Sequence, residues 1–417
     1  MSAVRYFLPP LEPERLIVRT TPVAAPGDLL GRLPQPAALA WVRRGEGLVG
    51  WGEAARITLP AGQDRFAAAE SWLRGLLDNA DVDDPIGAPG SGPVAFGSFT
   101  FDPAASGSVL VIPRAILGRR DGRAWFTTIG DGSDPLVPAR AETVPGEVRW
   151  HDGSLSGPGW QQVVAAAVSR IKAGELSKVV LARDLLATTP EPIDARVLLR
   201  RLAAAYPDCY TFACAGLVGA TPELLVRREG SRISSLVLGG TTSRRGDPEA
   251  DAEAGSALLA SPKETEEHQY AVTSVTDALA PLCSTLSADP GPSLLALANV
   301  QHLATWVTGR LAGDRSALAL AAALHPAAAA VGGTPADRAL QVIRELEGMD
   351  RGRYAGPVGW LDADGNGEWG LALRCAEIDG PRARLFAGCG IVAGSDPEAE
   401  LAETHAKFRP IRYALEG

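Results

Sequence analysis

The sequence predicts an α+β fold of large antiparallel β-sheets flanked by helices. Hairpin signals occur at both ends of the chain, long helix-periodic stretches lie between them, and no regular strand–helix alternation of the kind a parallel sheet needs is present. The elements follow in order. Residues 40–43 and 48–51 are short apolar runs around Arg44–Gly45–Glu46–Gly47, which predicts a hairpin. Residues 65–79 place Phe66, Trp72, Leu73, Leu76 and Leu77 on one side, which predicts a helix. Residues 94–101 and 109–112 read as strands, and Pro113 ends the second because it has no N–H for a ladder. A Gly-, Pro- and Asp-rich stretch at 130–146 then dilutes the apolar pattern. It places a lobe boundary near residue 150, between a β-rich N-terminal lobe of the same fold (1–150) and a C-terminal region (151–417).

Beyond Gly157 the pattern sharpens. Trp160, Val163, Val164, Ala167, Val168 and Ile171 are spaced i, i+3, i+4, i+7, i+8, i+11, an amphipathic helix that Gly174 stops. Residues 178–186, 224–227 and 233–238 read as strands, and 247–259 and 264–279 as helices. Residues 358–362 and 368–377 form a hairpin around 363–367. Finally, an apolar strand at 385–387 turns through Gly388, Cys389 and Gly390, and a helix follows, capped by Ser395 or Asp396 with Pro397 in its first turn.

The bulk numbers exclude several functions. A chain of 417 residues allows two or three domains, or one large body with a lobe. A net charge of −9 argues against nucleic acid as a main partner. The N-terminal stretch has no basic region followed by an apolar core, so no signal peptide is expected. No run of about 18 apolar residues predicts a membrane span. The five cysteines are scattered without C-x-x-C spacing, which fits a reduced, cytoplasmic protein.

Several residues could carry chemistry. Glu400, Glu403 and Lys407 share one helix face, where they form either a solvated i,i+4 pair or a site for a hard cation and an anion. Lys178 begins the apolar strand SKVVLAR on the face of Val180 and Ala182; it either snorkels to the rim or, partly buried with a lowered pKa, serves as a general base. Glu223 in GATPELLVR is either a hydrated strand end or a buried acid of raised pKa. In KETEEHQYAV, Glu264 and Glu266 read as a solvated face, while Glu267 lies on a different side beside Tyr270 and Ala271. Arg374 lies on a strand face of small residues, Gly370, Ala372 and Ala376, which leaves room for an anion. Asp362, Asp364, Asn366 and Gly367 resemble half a calcium loop, but Leu373 stands where its glutamate belongs, so a hairpin turn is expected.

Together with LVLGGTTSRRG, QHLATWVTGRL, LHPAAAAVGGTP, YAGPVGW, EWGLALRCAEI and AGCGIVAGSDPEAELAETHAK, these segments resemble the chorismate-binding family, which includes isochorismate, salicylate, anthranilate and aminodeoxychorismate synthases. The likeness runs from about residue 157 to 408. It implies the anthranilate synthase component I-like fold and, from the lysine at 178, a water-adding enzyme. The implied reaction is Mg²⁺-dependent isochorismate synthesis from chorismate. Lys178 is the implied base for water attack at C2, and Glu223 the acid that protonates the leaving 4-hydroxyl. Glu267, Glu400 and Glu403 are the implied Mg²⁺ ligands. Gly239, Thr241, His325, Arg374, Gly388, Gly390 and Lys407 are the implied substrate contacts. A monomer and a role in menaquinone synthesis are expected on the same ground.

Salicylate synthase, with the same base, acid and metal residues, is the nearest alternative. Anthranilate synthase, whose members usually carry glutamine at position 178, and a non-catalytic chorismate-binding protein are the others. The chain departs from the family pattern at Gly239 and Cys389, where alanine is usual, at Leu401 for an aromatic, and at Ala327 for a threonine. Gly239 predicts a roomier pocket floor.

Overall fold

The computed structural model describes residues 15–417 apart from residues 35, 131–139, 245, 299 and 327. Most of the loop-like stretch at 130–146, and the Ala327 departure, therefore lie outside the described residues. The expected α+β architecture is present, among the described residues, as a 13-stranded and a 10-stranded sheet, paired antiparallel except where Ile17–Pro22 meets Asp81–Asp83. Strands from both sides of residue 150 join in each sheet: Tyr210–Cys214 pairs with Leu39–Arg43 in the larger, and Pro357–Asp362 with Val94–Ser98 in the smaller.

The predicted Arg44–Gly47 hairpin joins Leu39–Arg43 to Glu46–Trp51. Its turn needs left-handed backbone, and Arg44 and Gly45 supply it at φ 51° and 75°. The helix Gly157–Lys172 buries Trp160, Val164, Ala167, Val168 and Ile171, as its periodicity requires. The largest apolar core draws Trp41, Tyr210 and Phe212 from one sheet and Phe96, Trp360 and Trp369 from the other. Trp41 also donates its indole N–H to Glu368 across the sheets at 2.8 Å. A second core covers the outer face of the larger sheet with Leu198, Leu199, Leu202, Phe408, Ile411 and Leu415 from two helices.

Two local expectations fail. The chain does not turn at Gly388–Gly390: the strand Arg382–Ile391 runs straight through, paired with Lys178–Thr188. Glycines end strands only where the ladder cannot accept them, and here it continues. Nor is 368–377 one strand. Gly367–Leu371 belongs to the smaller sheet and Cys375–Asp379 to the larger, so the chain changes sheets across Ala372–Arg374. Arg374 makes the corner in left-handed backbone, φ 48°. Such strain in a residue with a side chain is held by its surroundings: Ala220 N–H binds the Arg374 carbonyl, and Ala372 exchanges both main-chain bonds with Ala355 and Gly356. No helix among the described residues is long and apolar enough to cross a membrane, and the five cysteines are unpaired.

Candidate active site

The sheet change opens a cavity of about 540 Å³, within the range of small-molecule sites. Its wall gathers segments far apart in the chain: Lys178 and Val180, Glu223, Gly239–Thr241, Glu264 and Glu267, His302, Arg351 and Tyr354, Arg374, Gly388 and Gly390, and Glu400, Glu403 and Lys407. Of the residues implicated by the sequence, every one but His325 lines this space.

Lys178 and Val180 face the cavity as strand alternation predicts. The half-buried Lys178 ammonium has no hydrogen bond or ion pair to the described residues. Its position depends on Gly390: a Cβ there would stand 3.0 Å from Lys178 Cε and 3.7 Å from Nζ. At Gly388 a Cβ would meet the Tyr354 hydroxyl at 3.1 Å. The two glycines thus form a floor on which a hydroxyl and an ammonium lie. Gly390→Ala is expected to displace the ammonium and lower kcat with little loss of stability, since Gly390 is not in left-handed backbone. Unchanged kcat in that variant would detach Lys178 from this floor.

Glu223 stands on the turn between Leu217–Thr221 and Leu224–Glu229, held by its N–H to Thr221 Oγ1 at 3.2 Å and by Leu371 N–H on its carbonyl at 3.2 Å. Burial pushes its carboxyl up to about 7, and the nearby cations Arg374, Lys407 and Lys178 only partly oppose this. The side chain is half-buried and lines the cavity.

Two helices deliver the acidic residues. Asp396 caps the helix Pro397–Glu416 through the N–H groups of Glu398 and Ala399, as predicted. Lys407 Nζ binds Glu403 at 2.5 Å and the Gly388 carbonyl at 2.7 Å. In an antiparallel ladder a residue's N–H and C=O point the same way, so Gly388 N–H also turns away from the Lys178 strand. Ser261 caps the helix Pro262–Leu279, which presents Glu267 and, against expectation, Glu264. The i,i+3 spacing puts both on one face, the same spacing as Glu400 and Glu403, and that repetition was the available signal. Carboxylates near two helix N-termini are favourably placed.

Glu400 and Glu403 form an oxygen pair that fits a hard divalent cation, while Glu264 and Glu267 line the same cavity without joining that cluster among the described residues. Ligand oxygens of Glu400 and Glu403 lie within 4.8 Å of each other and of Cys389 Sγ. Glu400 is held above the usual carboxylate range by burial and also by the like charge of Glu403, a tension that a cation relieves. Burial pushes the Cys389 thiol well up, so the donors on offer are oxygens.

Two expectations are corrected. His325 does not line the cavity. It packs between Phe66 and Phe101 and donates Nε2–H to the Phe101 carbonyl at 2.9 Å, and burial pushes its pKa down to about 4. An imidazole held neutral among aromatic rings serves packing. The histidine in the wall is His302, whose Nδ1 lies 3.2 Å from the Gly240 carbonyl and 3.1 Å from Thr241 Oγ1. It pins the β-bulge at Gly239–Thr241; the motif QHLATWV contained it, but no spacing rule marked it. Nor does Gly239 widen the floor. The space of its missing Cβ is taken by the His268 ring, whose Nδ1 would be 2.7 Å away. The Leu401 departure lies against the main core, next to Gly157.

A family model described as chorismate binding enzyme matches residues 139–416. Isochorismate synthase DhbC of Bacillus subtilis is 40% identical over 329 residues, 71% of this chain and 82% of that protein. The salicylate biosynthesis isochorismate synthase of Pseudomonas aeruginosa is 35% identical over 420 residues, 91% of this chain and 85% of its own. Among solved structures, MenF, the menaquinone-specific isochorismate synthase of Escherichia coli, superposes with a TM-score of 0.80 at 27% identity, covering 96% of this chain and 95% of that one. Anthranilate synthase component I of Streptococcus pneumoniae, at 20% identity and a TM-score of 0.72, shares the fold. With two-thirds of its length matched by the family model and its cavity built from the same segments, this chain belongs to the chorismate-binding enzyme family.

Proposed function

We propose that this protein is an isochorismate synthase, converting chorismate to isochorismate by adding water at C2 with loss of the 4-hydroxyl. One observation carries the assignment of roles: a free ammonium at Lys178 and a carboxyl at Glu223 raised to about 7 face one cavity. A paired proton transfer needs a base and an acid held on one cavity, and a carboxyl raised toward neutrality can serve as that acid. Lys178, acting as the neutral amine, takes a proton from the attacking water and becomes the ammonium. Glu223 gives its proton to the departing hydroxyl, which leaves as a second water, so the net change is an isomerisation.

Chorismate carries two carboxylates, and a protein of net charge −9 must hold them locally. Arg374 and Lys407 supply cationic groups in the wall, and Gly388 an outward N–H. Glu267, Glu400 and Glu403, with Glu264 beside them, would hold Mg²⁺, which when bound supplies further positive charge for a substrate carboxylate. Relatives named for menaquinone and for salicylate biosynthesis share isochorismate formation as their common step.

The test is incubation with chorismate and Mg²⁺, followed by chromatography. Isochorismate as sole product is expected. Salicylate with pyruvate would move the protein to salicylate synthase, and no turnover with or without Mg²⁺ would leave a binding protein. Glu267→Gln is expected to weaken Mg²⁺ binding measured by calorimetry in the absence of chorismate, and an unchanged isotherm would remove it from the ligand set.

A further inference from the structure

A buried ion pair lies directly behind the strand that carries Lys178. Glu347 and Arg351 are 1% and 3% exposed. Arg351 Nε donates to Glu347 Oε2 at 2.9 Å, and its Nη2 to Oε1. Their remaining bonds go to main chain. Glu347 Oε1 accepts Ala182 N–H at 2.8 Å, Arg351 Nη2 donates to the Val180 carbonyl at 2.7 Å, and Nη1 to the Val331 carbonyl at 2.9 Å. The ring of Phe101 covers the guanidinium, 4.2 Å from its carbon.

The place of these bonds is informative. On the side of Lys178–Thr188 away from Arg382–Ile391, Gly333–Thr334 pairs only with Lys178 and Val179, and Arg149–Asp152 only with residues 185–188. Residues 180–184 therefore have no neighbouring strand on that side, and unmatched main-chain groups there would be costly if buried. Glu347 and Arg351 meet two of them, and Gly332 meets a third by accepting Val180 N–H at 2.7 Å. Arg351 also ties this gap to the segment that pairs with Lys178 itself. A buried ion pair is a poor source of net stability, because desolvating both charges offsets their attraction. A guanidinium fork does fix several acceptors rigidly at once.

We propose that Glu347 and Arg351 are positioning residues that stand in for the missing strand beside residues 180–182 and so fix the Lys178 ammonium above Gly390. This rests on Lys178 acting as the base. Although Arg351 reaches the cavity wall, its donors at Nε, Nη1 and Nη2 are engaged by protein. The pair therefore acts on catalysis through the strand and not by holding substrate.

The experiment assays the full chain with chorismate and Mg²⁺ in three forms: Arg351→Lys, the apolar double variant Glu347→Leu with Arg351→Met, and Lys178→Ala as reference. Arg351→Lys keeps the charge but loses the fork, and the double variant removes both charges while keeping bulk. Both clamp variants are expected to lose about 10- to 100-fold in kcat, the scale of a small misplacement of a catalytic group. KM should stay within about threefold of wild type, since ground-state binding is untouched. Wild-type kcat in the folded double variant would overturn the proposal, as would a rise in KM at constant kcat, which marks a substrate contact. Failure of both variants to fold would make the pair purely structural and overturn it equally. Full turnover by Lys178→Ala is a different result: it removes the base itself and with it the reading on which the positioning role rests.

Discussion

Lys178→Ala is expected to lower kcat for chorismate by about 10²- to 10⁴-fold, the usual contribution of a positioned base, while leaving Tm nearly unchanged. The side chain stands at the start of its strand, half-buried, with no hydrogen bond to the described residues, so its removal leaves no partner unsatisfied. The main chain at 178 stays paired with Thr334. Steady-state kinetics and thermal denaturation of the same sample check both halves. Turnover near wild type would remove the base assignment, and a large fall in Tm would show that the lysine supports the fold.

Glu223→Gln should be equally damaging to turnover, and it carries a second signature in stability. The folded carboxyl is raised from 4.5 to about 7, chiefly by burial. Between those values the folded protein keeps a proton that the unfolded chain has lost. Stability is therefore fully present below pH 4.5, falls as pH rises, and reaches its lower plateau once pH passes the folded value. Glutamine has the same shape and no charge to desolvate. The variant should gain Tm over wild type at pH 8 but not at pH 4, and in wild type kcat/KM should fall above pH 7 as the acid loses its proton. An equal Tm difference at both pH values would show that this carboxyl is not the one held protonated by burial.

Much of the site was legible because local rules act within one segment. Asp396, Pro397 and the Glu400–Glu403–Lys407 face follow from capping and helical spacing, and Lys178 from strand alternation. Glu264 was equally open to reading, since i,i+3 spacing puts it beside Glu267, but the abundance of charge on that helix suggested a wet surface. His302 and Tyr354 carry no local mark. Their place depends on which strands pair and on the absent side chains of residues such as Gly388. His325 misled because the motif fixes its position in the chain and not the direction of its ring, which aromatic neighbours decide.

By itself the sequence determined most of the secondary elements, though not the unbroken strand Arg382–Ile391 or the break at 372–374, together with the Asp396 cap and the kinds of group available: a lysine, a lone strand-end glutamate, and carboxylates in helical register. These follow from periods and propensities that need no distant partner. Only the tertiary structure decided that burial raises the Glu223 carboxyl to about 7, that Gly239 is backed by His268, and that Arg374 turns a corner between two sheets. Desolvation and close approach depend on what packs against a residue from elsewhere in the chain, and no local pattern contains that information.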